Sequence, residues 1–123
     1  MLGSQFALTA SRDEGTLRLS LAGEFDRART GRVERAVEEA LEVPTEHVVL
    51  DLGDVTFLDL GAVRTLLKTH ARACEYGVEL TVVRPRGTAR RIFTLTRVGD
   101  VLPVTDGNAA SIASPVESRP PAT

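Results

Sequence analysis

The sequence predicts an α/β protein: a mixed β-sheet of about five strands with helices packed on it. Two observations lead to this prediction. Short segments that are apolar throughout, or that alternate apolar with polar residues, recur along the chain and are typical of strands. The later ones are separated by segments whose apolar residues recur every three to four positions, which is typical of helices. Parallel strands need such helical crossovers, whereas a tight turn near the start joins an antiparallel pair. The length of 123 residues fits one domain with one core.

An antiparallel hairpin and a helix are predicted for the first third of the chain. The inward-facing residues of the hairpin alternate with polar ones: Phe6, Leu8 and Ala10, then Leu17, Leu19 and Leu21. The turn between them is Asp13–Gly15. Asp26 is in position to cap the helix, whose apolar residues recur from Val33 to Leu41, and Pro44 ends it. The helix is amphipathic and is expected to cover one side of the sheet.

A central strand and a second helix follow, and the junction between them carries most of the functional argument. His47–Leu52 is an almost continuous apolar run, typical of a strand buried on both faces. Gly53 and Asp54 are predicted to loosen the chain after it. The segment Phe57–Val63, FLDLGAV, then turns from strand to helix, and we call it the corner. Asp59 is predicted to cap the second helix.

The rest of the folded part is predicted to be a helix, a strand, a short helix and an edge strand. The second helix is expected to bury Val63, Leu66, Leu67, His70, Ala71 and Cys74 and to expose Arg64, Lys68, Thr69, Arg72 and Glu75. Gly77 ends it, and a strand over 78–82 follows. A short helix over 88–95 is expected to pack through Ala89, Ile92, Phe93 and Leu95, before an edge strand over 101–104. The predicted domain covers residues 1–106, and the Ala/Ser/Pro-rich tail, 107–123, is expected to be disordered.

Composition and charge argue against several classes of function. The formal net charge of -2 is too near neutral to indicate binding to nucleic acid or to a membrane surface. No apolar run approaches the ~20 residues that span a bilayer, and the first residues do not resemble a signal peptide. The single cysteine cannot form an internal disulfide. We expect a cytoplasmic protein that is not an enzyme and has no cofactor, because no catalytic arrangement stands out and His47 and His70 lack metal-ligand neighbours.

Two segments resemble motifs of the STAS domain family. LAGEFD, residues 21–26, resembles the L-x-G-E-L-D signature at the end of the second strand of these domains. VVLDLGDVTFLDLGAVRTLL, residues 48–67, resembles the family's stretch around the motif D-S-S-G, and the spacing between the two segments also fits. The likeness covers roughly residues 4–105. It implies the STAS fold, which is found in the anti-sigma factor antagonists of bacteria.

The resemblance implies a regulatory protein whose partner is another protein. Antagonists of this family dock on an anti-sigma factor, a serine kinase related to the histidine-kinase ATPases, and docking releases a sigma factor. The kinase phosphorylates the second serine of D-S-S-G, which breaks the complex. Aligning Asp59 with the motif's aspartate puts Leu60 on the first serine and Gly61 on the acceptor. We therefore expect no phosphorylation at the corner, because glycine has no hydroxyl.

The residues expected at a partner-binding surface lie at the corner and beside it: Asp26, Thr56, Asp59, Leu60, Gly61 and Arg64. Either aspartate could instead be a plain helix cap, and Leu60 could be exposed or folded into the core. Thr56 and Thr65 are the nearest hydroxyls that could replace the missing acceptor. The simpler interpretation is an ordinary strand-end threonine and an ordinary helix-surface threonine.

The sequence leaves alternative functions open. One is a scaffold that self-associates as a homodimer through the hairpin or the apolar surface near the corner. Another is a small-ligand sensor, since arginine clusters suit phosphates such as those of a nucleotide. Arginines crowd the region after the fourth strand: Arg84, Arg86, Arg90, Arg91 and Arg97. A further alternative is a subunit of a transporter-associated complex, because STAS domains also occur in anion transporters and lipid-transfer machines.

Overall fold

A computed structural model describes residues 5–106 of the chain, so the predicted C-terminal tail lies outside the described residues. The strands are β1 Phe6–Asp13, β2 Thr16–Phe25, β3 His47–Leu58, β4 Glu79–Val83 and β5 Val104–Thr105. The helices are α1 Thr30–Leu41, α2 Leu60–Glu75 and α3 Gly87–Leu95. Short 3₁₀ turns cover Arg27–Arg29 and Val98–Asp100. The order β-β-α-β-α-β-α-β is the predicted one, and the α/β fold class is confirmed.

The strands form one mixed sheet in the order β1-β2-β3-β4-β5. β1 and β2 pair antiparallel, and every later pair of neighbouring strands is parallel. Because β2 and β3 are parallel neighbours, their carboxyl ends meet at the same edge of the sheet. Phe25, the last residue of β2, pairs with Leu58, the last residue of β3. The segments that begin with Asp26 and Asp59 therefore leave the sheet side by side.

One face of the sheet meets all three helices. The strand residues on this face include Leu19, Leu50 and Val82, which are almost fully buried. Val37 of α1, Leu66 of α2 and Phe93 of α3 belong to the same apolar cluster: Leu17, Leu19, Leu21, Phe25, Val33, Val37, Leu50, Leu52, Leu58, Leu66, Leu80, Val82, Ala89 and Phe93 are among its members. With few aromatic residues available, aliphatic side chains fill most of this core. The core fixes the ends of β2 and β3 and the start of α2, which together hold the corner.

The central strand is longer than predicted. β3 continues through Gly53 and Asp54 to Leu58. Its pairing with β2 shifts register twice along this part of the strand. β4 pairs with β3 only as far as Asp51. Beyond that point the guanidinium of Arg86 donates hydrogen bonds of 3.2 and 3.0 Å to the carbonyl of Gly53. The side chain of Arg86 thus supplies hydrogen bonds to a β3 carbonyl that lies beyond the part of β3 paired with β4.

The inner face of α2 is rotated from the predicted one. Thr65 and Thr69 are buried, whereas Ala71 and Cys74 are exposed. The reason is that α2 packs against α1 as well as against the sheet. The hydroxyl of Thr69 donates to the carbonyls of its own helix, so its burial leaves no polar group without a partner.

Two predictions near the end of the domain were also wrong in detail. Leu95 is 75% exposed instead of packing inward, because it is the last residue of α3. The edge strand is limited to Val104–Thr105, although the carbonyl of Pro103 still accepts a hydrogen bond from the amide of Val82. Proline cannot donate an amide to a ladder, which explains the late start of β5.

Candidate functional site

The corner and the 3₁₀ turn Arg27–Arg29 form one structural unit at the carboxyl ends of β2 and β3. Asp26 and Asp59 both have extended backbone, with φ of -123° and -115°. Each follows a buried strand residue, Phe25 or Leu58, and these two residues pair with each other in the sheet. The sheet therefore fixes where the two aspartates begin their segments. Both are half-buried.

Asp26 organises the turn that precedes α1. Its Oδ1 accepts a hydrogen bond from the amide of Ala28 at 3.1 Å, and its Oδ2 accepts one from the guanidinium of Arg29 at 2.8 Å. The predicted cap is therefore present, but it caps the 3₁₀ turn. α1 itself begins one turn later, after Arg29, whose side chain makes no cap hydrogen bond.

Asp59 joins the two segments. Its Oδ1 accepts a hydrogen bond from the amide of Ala62 at 2.9 Å, which is the predicted N-cap of α2. Its Oδ2 accepts one from the amide of Arg27 at 3.1 Å. A single carboxylate thus satisfies two backbone donors from segments 32 residues apart, and it ties the 3₁₀ turn to the start of α2.

Gly61 is the point of closest approach between these segments. A Cβ added to Gly61 would lie 3.1 Å from Cβ of Arg27, 3.3 Å from Cα of Arg27 and 3.3 Å from Oδ1 of Asp59. Such distances are tighter than nearly all Cβ contacts in real proteins. These neighbours are Cα and Cβ of Arg27 and a carboxylate oxygen of Asp59, and the amide of Arg27 donates a hydrogen bond to that carboxylate. A side chain at position 61 would require these atoms to move by a few tenths of an ångström.

The predicted partner-binding residues do come together at this edge, with different exposures. The sequence left open whether Leu60 is exposed or folded into the core. In the structure it is 69% exposed. Arg64, one helical turn later, is exposed, and Thr56 is exposed at the end of β3. Phe57, 41% exposed, adds apolar surface nearby. These residues lie close to Gly61 along the chain, at the junction of β3 and α2, and Asp59 caps the helix there.

Arg27 was not among the predicted site residues. It is exposed and lies against Gly61. Its sequence position directly after the capping aspartate offered a weak signal, since an arginine in a loop is usually solvated. Its nearness to Gly61 depends on β2 and β3 being parallel neighbours in this register, and the sequence predicted only a mixed sheet without its strand order.

The two candidate substitute hydroxyls differ in access. Thr65 is 3% exposed, and its hydroxyl donates to Oε2 of Glu34 at 2.8 Å. A buried hydroxyl facing a carboxylate is poorly placed to receive a phosphoryl group. Thr56 is exposed, but it lies on β3 before the corner.

The arginines after the fourth strand are mostly paired with carboxylates. Arg84 and Arg90 lie 3.0 and 3.7 Å from Asp106. Arg86 lies 3.2 Å from Asp54, and Arg97 lies 2.9 Å from Asp100. Arg84 and Arg97 line a cleft of about 430 Å³, which Arg90 and Arg91 do not reach. A nucleotide site there stays a prediction, and existing ion pairs weaken its electrostatic basis.

Within residues 5–106, no cluster of three or more His, Cys, Asp or Glu side chains has the geometry to hold a metal ion. Across the same residues, no helix combines the length and apolar character needed to cross a bilayer.

Several solved structures share this fold. An anti-sigma factor antagonist from Mycobacterium paratuberculosis matches with a TM-score of 0.74 and 23% identity, over 89% of this chain and 92% of that one. The antagonist SpoIIAA of Bacillus, in its unphosphorylated form, matches with a TM-score of 0.74 and 16% identity, over 87% and 93%. The murine anion transporter Slc26a9 matches with a TM-score of 0.66 and 15% identity, over 80% of this chain but 17% of the transporter. At these identities the likeness establishes the fold.

The family comparison is more specific than the structural one. No curated protein sequence matches this chain. The family model described as "Mlab, STAS domain" matches residues 8–103, which include most of the hairpin, both capping aspartates and the corner. This range is most of the chain and nearly all of the described part. The chain therefore belongs to the STAS domain family.

Proposed function

We propose that this protein is an anti-sigma factor antagonist that docks on a serine-kinase-type anti-sigma factor and is not switched off by phosphorylation. The observation that carries the second half of this proposal is the glycine at position 61, where the resemblance puts the phosphoacceptor serine. Its absent side chain offers no hydroxyl, and a Cβ there would meet the backbone of Arg27 at 3.3 Å. The corner keeps the shape of a docking site without a group that accepts phosphate.

The physical consequence is a docking surface of constant charge. Phosphorylation of a serine adds about -1.5 to -2 charge and three acceptor oxygens, which is enough to break a packed interface. Gly61 cannot undergo this change, and the nearby Thr65 is buried. Binding is therefore governed by how much of the protein the cell contains. Through the anti-sigma factor, that amount influences sigma-factor-dependent transcription.

The proposed role is that of a binding protein in the cytoplasm, without catalysis. Both aspartates at the corner already accept hydrogen bonds on both carboxylate oxygens. They hold the backbone of the two segments in place, and the role proposed for them is structural. The rigid part of the site supports pre-organised docking, in which little conformational freedom is lost on binding.

The test is direct binding between purified proteins. Each kinase-type anti-sigma factor of the source organism is titrated with the full-length chain in a calorimeter, with and without ATP. We expect saturable binding to at least one of them and release of its sigma factor. Failure to bind any of them under either condition would refute the proposed function.

A second candidate is a STAS subunit of a larger membrane-associated complex. The likeness to part of the anion transporter Slc26a9 and the "Mlab" family model favour it. Affinity purification of the tagged chain from membrane and soluble fractions separates the two candidates. Stable recovery with an integral membrane protein, and not with an anti-sigma factor, would favour this second role.

A further inference from the structure

An exposed apolar side chain of the corner has two exposed arginines near it, one in the 3₁₀ turn Arg27–Arg29 and one in α2. Leu60 is 69% exposed, and Arg27 and Arg64 are both exposed. Arg64 follows Leu60 by four residues on α2, a spacing that puts the two side chains on one helix face. Arg27 lies against Gly61, the residue after Leu60. We call Arg27, Leu60 and Arg64 the basic docking surface.

The charges of this surface are not neutralised within residues 5–106. Neither Arg27 nor Arg64 has an ion pair with a described carboxylate. In contrast, Arg18, Arg29 and Arg72 each lie within 2.8 Å of a carboxylate oxygen. The nearest acids, Asp59 and Asp26, accept hydrogen bonds from backbone amides and from Arg29, and neither makes an ion pair with Arg27 or Arg64. The surface therefore presents net positive charge around one leucine.

Stability does not explain Arg27 at this place. The amino end of a helix carries partial positive charge, so anions stabilise it and cations do not. The first turn of α2 contains no acidic residue, although its cap is the carboxylate of Asp59, and the Cβ of Arg27 lies beside that turn. Only the backbone amide of Arg27 is hydrogen-bonded to Asp59. The Arg27 side chain is exposed and makes no ion pair with a described carboxylate, so it is available to a partner.

We infer that the partner offers an acidic surface around an apolar socket, with Leu60 in the socket and the carboxylates facing Arg27 and Arg64. This inference rests on the proposed function, and it names the chemistry by which the anti-sigma factor is recognised. A leucine that becomes buried supplies affinity. The opposite charges steer the encounter and set orientation.

The experiment compares three variants with a matched control, using the full-length chain and the anti-sigma factor that the wild type binds. Arg27→Glu and Arg64→Glu reverse one charge each, and Leu60→Ala removes the apolar contact. Arg12→Glu makes the same charge reversal near Pro44, at the opposite end of β3. That strand is 12 residues long, which separates the control from the corner by roughly 35 Å.

We expect each corner reversal to weaken binding by at least about tenfold. Leu60→Ala should weaken it by roughly tenfold to a hundredfold. Arg12→Glu should change it by less than about threefold, and wild-type affinity should fall as salt is raised. The thermal unfolding of every variant is measured beside that of the wild type. A variant with the unfolding midpoint of the wild type is folded, so its weaker binding reports the lost contact.

Two results would overturn the inference in distinguishable ways. If the wild type binds but the corner reversals behave like Arg12→Glu and affinity is insensitive to salt, the acidic partner surface is wrong while the proposed function stands. If the wild type binds no anti-sigma factor, the proposed function fails and this inference fails with it.

Discussion

Gly61 occupies the position to which the resemblance assigns the phosphoacceptor serine, and in the structure it lies close to Arg27. It is the second residue of α2, and a Cβ added there would lie 3.3 Å from Cα of Arg27. Glycine normally weakens a helix, by up to ~1 kcal/mol relative to alanine. A glycine at this position allows the 3₁₀ turn Arg27–Arg29 to lie close to the start of α2.

A comparison with Gly31 tests this interpretation. Gly31 is also the second residue of its helix, α1, but no atom lies within 4 Å of an added Cβ. Gly31→Ala should raise the free energy of unfolding by up to ~1 kcal/mol. Gly61→Ala should lower it by about 1 kcal/mol, because the new Cβ presses on Arg27. Urea unfolding measures both; equal gains in the two variants would mean that position 61 is open.

Asp59 is predicted to be the most important polar residue of the corner for stability. Asp59→Ala removes the acceptor for the amides of Ala62 and Arg27 and should cost about 1–2 kcal/mol. Asp54→Ala is the control, since Asp54 is exposed and has only a surface ion pair with Arg86. Its effect should stay within ~0.5 kcal/mol. Equal effects in urea unfolding would show that Asp59 is not a structural link.

The cap at Asp59 could be predicted from sequence, whereas the link to Arg27 could not. An aspartate between an apolar run and a helical pattern is a local signal, and helix capping is local chemistry. The second hydrogen bond of Asp59 joins segments 32 residues apart. It depends on the register Phe25 to Leu58, and two register shifts lie before that pair. Gly53 and Asp54 indicate an irregularity at the first shift, but no residue pattern gives the size of either shift.

At the scale of elements, charged side chains join α1 to α2. Arg72 donates hydrogen bonds of 2.6 and 3.1 Å to the carboxylate of Glu38, and Lys68 lies 3.4 Å from Glu34. The Arg72 guanidinium, through its hydrogen bonds, holds the pKa of Glu38 below its usual value of 4.5. The interaction therefore favours the folded state only while Glu38 is ionised.

The sign of its pH dependence follows from that lowered pKa. The contribution of Glu38 is present above about pH 4.5, where the unfolded carboxyl is ionised, and is lost as pH falls through the lower folded pKa. Glu38→Gln should therefore be less stable than the wild type at pH 7 and should approach it at pH 3. Thermal unfolding at both pH values measures this, with Glu42→Gln at the end of α1 as control. A difference that does not change with pH would contradict the ion pair.

The helix pair also explains why the inner face of α2 was mispredicted. A stripe drawn from apolar residues alone includes Ala71 and Cys74 and omits Thr65 and Thr69. In the fold, α1 covers the threonine side of α2, and the hydroxyl of Thr65 donates a hydrogen bond to Glu34 of α1. Periodicity gives the existence of a helix, but its rotation depends on the neighbouring helix. The strands of the core, such as Leu17 to Leu21, were easier because alternation fixes a face.

At the scale of the whole molecule, the fold followed from the sequence because element order and strand direction are strongly linked. Three helical crossovers in succession give parallel strands, and the hairpin adds the antiparallel edge. The same topology puts the ends of β2 and β3 together, which is why residues as distant as Asp26 and Asp59 share a site. Exposure of Leu60 and the nearness of Arg27 are results of packing, and they required the structure.

The central claim is that docking at this corner cannot be reversed by the partner's kinase activity. The most direct measurement incubates the full-length chain with the anti-sigma factor and ATP, then determines the dissociation constant and the intact mass of the chain. We predict the same dissociation constant as with a non-hydrolysable nucleotide, and no phosphoryl group on residues 56–65. Loss of binding together with a phosphoryl group on that segment would contradict the account.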